Sequence, residues 1–245
     1  SLLFLLLAWM TALVVMPAGC RKMEIPPDNM AVVNKALYDT ASNFYVEFNE
    51  YPDDMRSLPI GVFDSGTGGL TVLEKLLSLD AFDNITGTPG RDSILDFAGE
   101  HFIYLADQAN MPYGNYASEN NVEYLQELVL KDAMFLLDDD YFQNAIEEDP
   151  SGRKQRAKII VVACNTATAC GLDLIRDLIA QSGKDVKVIG VIGAGVRATL
   201  DELAIKPDSA PLAIGVLATP GTVASGAYEK TLREEMQRGG ITAPA

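Results

Sequence analysis

The stretch Lys158–Cys170, KIIVVACNTATAC, constrains this chain more than any other. Ile159 to Ala163 is an unbroken apolar, β-branched run, the pattern of a strand buried on both faces. Such a strand belongs in a parallel sheet covered by helices on both sides. The run stops at Cys164. Asn165 and Thr166 are both residues that cap helices, so the pattern predicts a helix from about Ala167 to Gln181. Cys164 then lies at the carboxyl end of a strand and the amino end of a helix, the edge where open α/β sheets bind ligands. The partial positive charge of a helix amino terminus favours thiolate over thiol. Local sequence leaves two readings of Cys164: a reactive thiol, or a small buried hydrophobe.

The rest of the chain alternates in the same way. Ile60–Phe63 reads as a strand, followed by Asp64-Ser65-Gly66-Thr67-Gly68-Gly69 and a helix to about Leu79. Residues 80–100 read as loop. Phe102–Ala106 is a second strand ending at Asp107, and Asn110–Tyr116 a turn-rich loop. A long helical region spans about Ser118 to Glu148, broken near Asp138–Asp140. Val186–Ile192 and Leu212–Leu217 read as further strands. The first is followed by a helix to about Ala204, the second by a helix from Thr219–Thr222 to about Arg238. This order implies an α/β fold with a doubly wound parallel sheet. The domain reading is a hydrophobic signal or lipoprotein-type segment at 1–20 and a linker with an accessory helix at 21–57. A first α/β domain follows at 58–192, and the start of a second, similar domain at 193–245. Gly239-Gly240 ends the last helix and Ile241 opens what looks like another strand, so a fragment is expected.

Net charge is −15, from 34 acidic and 19 basic residues, which argues against a nucleic-acid partner. The acidic runs Asp138–Asp140 and Glu147–Asp149 read as solvated surface. A small anionic substrate would need locally positive backbone, such as helix amino termini. The cysteines are Cys20, Cys164 and Cys170, there is one histidine, His101, and no Cys-x-x-Cys occurs. That speaks against zinc, haem attachment and a disulfide framework. Residues 2–18 carry no charge and lead into Ala18-Gly19-Cys20-Arg21-Lys22. The expectation is a secretory or lipoprotein signal with Cys20 lipidated, or an uncleaved anchor. Either places the protein at the membrane or in the periplasm through residues 1–20; without it, the cytoplasm is expected.

Asp64–Gly69, DSGTGG, is neither the dinucleotide G-x-G-x-x-G nor a phosphate-binding G-K-S/T loop. It is close to the aspartyl phosphatase D-x-D-G-T, but Gly66 stands where the second Asp belongs. Alone it reads as a tight strand-to-helix turn. Pro112-Tyr113-Gly114 reads as a turn, and the Thr and Ser of Thr219–Tyr228, TPGTVASGAY, as helix caps. His101 precedes a strand and reads as structural.

In order, IGVFDSGTGGLTVLEKL, IYLADQANMPYGNY, IIVVACNTATA, VIGVIGAGVRATL and IGVLATPGTVASGAYEKTL resemble the glutamate racemase family, across roughly residues 58–238. The resemblance implies a racemase that uses no cofactor and no metal. Two α/β domains would each supply one cysteine, one thiolate removing the α-proton and the other thiol returning a proton to the opposite face. By this resemblance Cys164 is the first-domain acid–base, with Asp64 and Ser65 binding substrate and orienting its proton. Tyr113, Gly114, Asn165 and Thr166 would hold the amino acid's carboxylate and ammonium. The implied substrate is glutamate or aspartate, the implied product D-glutamate for peptidoglycan, and the implied assembly a homodimer. Chemistry agrees, because an α-proton beside a carboxylate needs a positioned base and stabilisation of developing charge. The family's second cysteine lies in a Gly-Cys-Thr-His stretch that this sequence does not contain, and no cysteine occurs after Cys170. A lipid-anchored amino-acid-binding module, or a hydrolase using Cys164 and His101, are the other readings.

Overall fold

A computed structural model of the chain describes residues 27–143, 147, 149–204 and 214–239. The hydrophobic segment 1–20, Cys20 and the strand expected at Ile241 lie outside the described residues. In chain order the elements are α1 (Pro27–Tyr38), β1 (Ile60–Asp64), α2 (Leu70–Leu77), β2 (Phe102–Ala106), α3 (Tyr113–Ser118), α4 (Val122–Leu137), β3 (Asp140–Tyr141), β4 (Gly152–Arg153), β5 (Ile159–Val162), α5 (Asn165–Ser182), β6 (Lys187–Gly190), α6 (Val191–Ala204), α7 (Pro220–Ala224) and α8 (Ala227–Arg238).

Four strands form one parallel sheet in the order β2-β1-β5-β6. β1 is buried at every position, as a central strand covered on both faces must be. Its side chains alternate between the faces with the period of two. Ile60 and Val62, with Val161 of β5, pack against Val72, Leu73 and Leu76 of α2. Phe63, Ile160 and Val162 point the other way, into a larger core with α4 and α5. Leu136, Leu137, Leu174, Ile175 and Leu178 of these two helices are fully buried, each stabilising the layer by roughly 1.5–3 kcal/mol relative to exposure. α5 stops at Gly183, whose φ of 70° gives the left-handed helix end that glycine adopts without strain.

Several expectations change. The accessory helix ends at Tyr38, not near Glu50, and residues 46–51 pack into the main core through Val46, Phe48 and Tyr51. The Tyr51 hydroxyl lies 3.1 Å from the carbonyls of both Leu137 and Ala157. Buried Arg156 donates to the Glu47 carbonyl and to the carboxylates of Glu50 and Asp139. Asp138 and Asp139 are therefore partly buried around a cation, not a solvated face, and burial pushes the Asp138 carboxyl up to about 6. This anchor explains why the long helical region stops at Leu137: Asp138 turns extended and the chain enters the antiparallel β3–β4 hairpin. The loop expected at 110–116 contains the start of α3.

The strand expected at 186–192 ends at Gly190, and α6 takes in Gly193 and Gly195. At Leu212–Leu217, the described residues 214–217 form no strand, and Leu217 is fully exposed. A strand needs a neighbour, and none is paired here. Among the described residues beyond β6 every regular element is a helix: α6 packs on α5 and α8, and α7 on α3 and α5. No described helix is long and apolar enough to cross a membrane.

Candidate active site

From β1 the chain crosses to β2 on one side and then to β5 on the other, so β1 and β5 flank the point where strand order reverses. Ligands in open α/β sheets bind at the carboxyl ends of the strands there. Asp64 is the last residue of β1, and Cys164 stands two residues beyond β5. Both are 7% exposed. The Asp64 Oδ2 accepts the Gly69 N–H at 2.9 Å and so closes the DSGTGG turn. A methyl group on Gly69 would lie 2.7 Å from Asp64 Cβ and 2.9 Å from Ala163 Cβ. Neither atom is a flexible chain end, so only glycine fits.

Cys164 itself caps α5, in place of Asn165 or Thr166, and the helix starts at Asn165, two residues earlier than the sequence pattern predicts. Its Sγ accepts the Ala167 N–H at 3.5 Å, one of the donors a helix start leaves free. Ser65 Oγ lies 3.6 Å from the same sulfur. The Tyr104 hydroxyl donates to the Gly66 carbonyl at 3.1 Å and closes the far side of the turn.

The thiol is not poised as thiolate. Burial pushes its pKa up, the Ala167 N–H and the Ser65 hydroxyl pull it down, and the Asp64 charge pushes it up again. Burial dominates, so the resting group is a neutral thiol, contrary to the expectation from helix polarity alone.

The remaining expected residues divide. The Thr166 Oγ1 meets Thr222 Oγ1 at 3.2 Å and Thr219 Oγ1 at 3.4 Å, and Thr219 donates to Thr222 at 3.0 Å while capping α7. Asn165 Oδ1 accepts the Tyr228 hydroxyl of α8 at 2.8 Å. Gly114 faces Thr219, whose Cβ would be 3.5 Å from an added methyl. Tyr113 is 1% exposed, and its hydroxyl is tied to Asp107 and Asp132, 2.6 Å from each. The Tyr113 hydroxyl is thus engaged within the protein, and the expected substrate contact of Tyr113 is not one its hydroxyl is placed to make. Asp64, Ser65 and Cys164 come together, and Asn165 and Thr166 stand next to them at the start of α5.

Sequence reasoning missed Thr219, Thr222 and Tyr228 as neighbours of the site, because it read TPGTVASGAY as capping only. It also missed Asp107 and Asp132, although Asp132 lies four residues after Leu128 and four before Leu136, on the buried stripe of α4. His101 is exposed at the start of β2, where its carbonyl accepts the Ile60 N–H at 2.8 Å, the sheet end away from Cys164. It cannot serve that thiol. Cys170 is 1% exposed within α5. Among the described residues no cluster of three His, Cys, Asp or Glu could hold a metal ion. A groove of about 750 Å³ between α5, β6, α6 and α8, lined by Asp173, Arg176, Arg197 and Lys230 among others, contains none of the residues named for the site.

No protein-family model matches the chain. It is 32% identical over 183 residues to a glutamate racemase of Rippkaea orientalis, covering 74% of this chain and 47% of that one. It is 34% identical over 188 residues to a glutamate racemase of Oceanobacillus iheyensis, covering 76% of this chain and 51% of the other. The chain thus spans about half the length of the curated relatives it matches. Two solved structures are also similar. A glutamate racemase isoform from Bacillus anthracis shares 30% identity over 74% of this chain and 50% of its own, at a TM-score of 0.48. A glutamate racemase from Francisella tularensis in complex with D-glutamate shares 28% identity over 73% and 49%, at a TM-score of 0.45. The relationship to the racemases rests on sequence identity, not on these superpositions.

Proposed function

This chain is a homologue of the glutamate racemases over about three quarters of its length, and we propose that it supplies one half of an amino-acid racemase site acting on glutamate, with Cys164 as one of two proton-transfer thiols. The supporting observation is the placement of Cys164. It stands at the switch point of the sheet, capping α5, within reach of Ser65 and beside Asp64.

In this reading the substrate carboxylate takes the free N–H groups at the start of α5 and the backbone at Tyr113 and Gly114, where helix polarity favours an anion. Ser65, Asn165 and Thr166 orient it. Asp64 attracts the α-ammonium. The neutral thiol suits the proton-donating half of the reaction as it stands. For the abstracting half it must ionise, and the α-ammonium is the charge that would draw its pKa down. Each unit of that shift is about 1.4 kcal/mol of differential interaction. The opposite face of the substrate needs a second acid–base group. Cys170, packed in the core, cannot provide it. The second thiol therefore belongs outside these residues, and the proposal is for half a site. Supply of D-glutamate to peptidoglycan and a homodimer belong to the same reading; anchoring through residues 1–20 does not follow from it.

The test is solvent deuterium incorporation at the α-carbon of L- and D-glutamate by the full-length protein. Exchange is expected, and Cys164→Ser should reduce it by at least 100-fold, the scale of a lost acid–base group (about 10²–10⁴). Absence of exchange, or unchanged exchange in the Cys164→Ser protein, contradicts the proposal.

A further inference from the structure

The Tyr113 hydroxyl carries one proton but stands 2.6 Å from two carboxylate oxygens, Asp107 Oδ2 and Asp132 Oδ2. A separation of 2.6 Å between oxygens requires a proton in the gap. Two gaps need two protons, and the tyrosine supplies one. One carboxyl must supply the other. Asp107 is only partly buried, and the Asn110 amide donates to both of its oxygens, at 2.9 and 3.0 Å. It is dressed as an acceptor. Asp132 is 8% exposed on α4, and its hydrogen-bond partner is the Tyr113 hydroxyl.

We propose that Asp132 is a positioning residue that holds a proton: it donates to Tyr113 Oη, Tyr113 donates to Asp107, and this relay fixes the amino end of α3. Three connections bring the relay to the site. The Asp107 N–H donates to the Asp64 carbonyl at 3.0 Å, locking the loop after β2 to the end of β1. Tyr113 is the first residue of α3, and Gly114 beside it packs on Thr219. Thr219 in turn contacts Thr166. The relay rests on the geometry alone; that it serves substrate rests on the racemase reading above.

The environment of Asp132 favours the neutral acid. Burial raises its pKa to about 8, the Asp107 charge adds to the rise, and the Tyr113 hydrogen bond opposes it. α1, α3 and α5 pack on α4 and contribute to the surrounding cluster apolar side chains such as Val33, Ala36, Leu174 and Ile175, together with the Tyr113 ring. The charged side chain next to Asp132 on α4, Lys131, pairs with Glu127 instead. When Asp132 ionises, two carboxylates face one hydroxyl proton, so one 2.6 Å contact has to open and the start of α3 has to move.

The experiment is a pH titration by NMR of the full chain, labelled at aspartate Cγ and at the backbone amides, for wild type, Asp132→Asn and Asp132→Leu. In wild type the Asp132 carboxyl should titrate with a midpoint near 8, and the Tyr113 and Gly114 amide signals should move with the same midpoint. Asn keeps a donor toward Tyr113 and has no proton to lose. Its amides should sit at the low-pH wild-type positions and stay there to pH 9. Leu should shift them at every pH. An ionised Asp132 at pH 6, or Gly114 signals indifferent to its titration, overturns the proposal. Exchange of the glutamate α-proton in the same three proteins is read separately. If wild type shows none, the racemase reading fails while the relay is still judged by its amide signals. If exchange occurs, wild type should lose it above pH 8 more steeply than Asp132→Asn does.

Discussion

Two regions meet at the start of α5, next to Cys164, and they are built by different means. The strand-end region, Asp64 to Gly69 with Cys164 to Ala167, grows directly out of the buried strands β1 and β5 and of α5, one face of which is buried in the core. The segment 214–239 reaches the same place from outside. It touches through the hydroxyls of Thr219 and Thr222 on Thr166 and through Tyr228 on Asn165, while Ile214, Val216, Leu217 and Val223 stay exposed. In the first region, backbone position is set by packing and the polar atoms only trim it. In the second, α7 and α8 pack on α3, α5 and α6, and the contacts that reach Asn165 and Thr166 are polar. Damage to the first should therefore be global, and damage to the second local.

The largest effect expected is from Gly69→Ala. Its methyl would press on two rigid Cβ atoms, Asp64 at 2.7 Å and Ala163 at 2.9 Å, so the turn has to shift and the Asp64–Gly69 bond with it. Overpacking of this kind costs about 1–3 kcal/mol, and urea unfolding should show a loss in that range. A loss near zero would mean that the strand-end region is softer than its packing implies. Thr222→Val should have a smaller effect. It removes a buried hydroxyl that meets both Thr166 and Thr219 while keeping the shape, at a cost of about 1 kcal/mol. Hydrogen exchange should quicken in 219–238 and remain unchanged in β1 and β5. Equal loosening of both regions would erase the distinction between them.

The same contrast governs what could be read from the amino-acid order. β1 and β5 were legible because a strand buried on both faces forces an apolar run, half-buried β2 because its run Phe102–Ala106 is as apolar, and the turn after β1 because tight geometry there demands glycine. Cys164 was legible as a strand-end residue but not as the cap of α5, since sulfur is an uncommon cap and Asn165 and Thr166 are better ones by type. Its protonation state was not legible: helix polarity is a local property, whereas burial depends on the core that α4 and α5 build around the sulfur. Leu212–Leu217 has strand composition, but a strand exists only with a neighbour to pair with. The helical period of α4 places Asp132 among Leu128, Val129 and Leu136 on the buried face, but its partners were not legible, because Asp107 and Tyr113 come from other elements of the fold.

The central claim is that Cys164 rests as a neutral thiol whose ionisation depends on the charges around it. It is tested most directly by the pH dependence of iodoacetamide alkylation at Cys164, monitored by peptide mass spectrometry with and without glutamate. Without ligand the rate should rise only above the ordinary cysteine range, because burial and Asp64 raise the pKa. Ser65→Ala should move the inflection higher still, since it removes a bond that lowers it. Glutamate should move it lower in any fraction that remains open to the reagent. An inflection at or below about 8.5, the value of a free cysteine, with no response to Ser65→Ala or to glutamate, would contradict the claim.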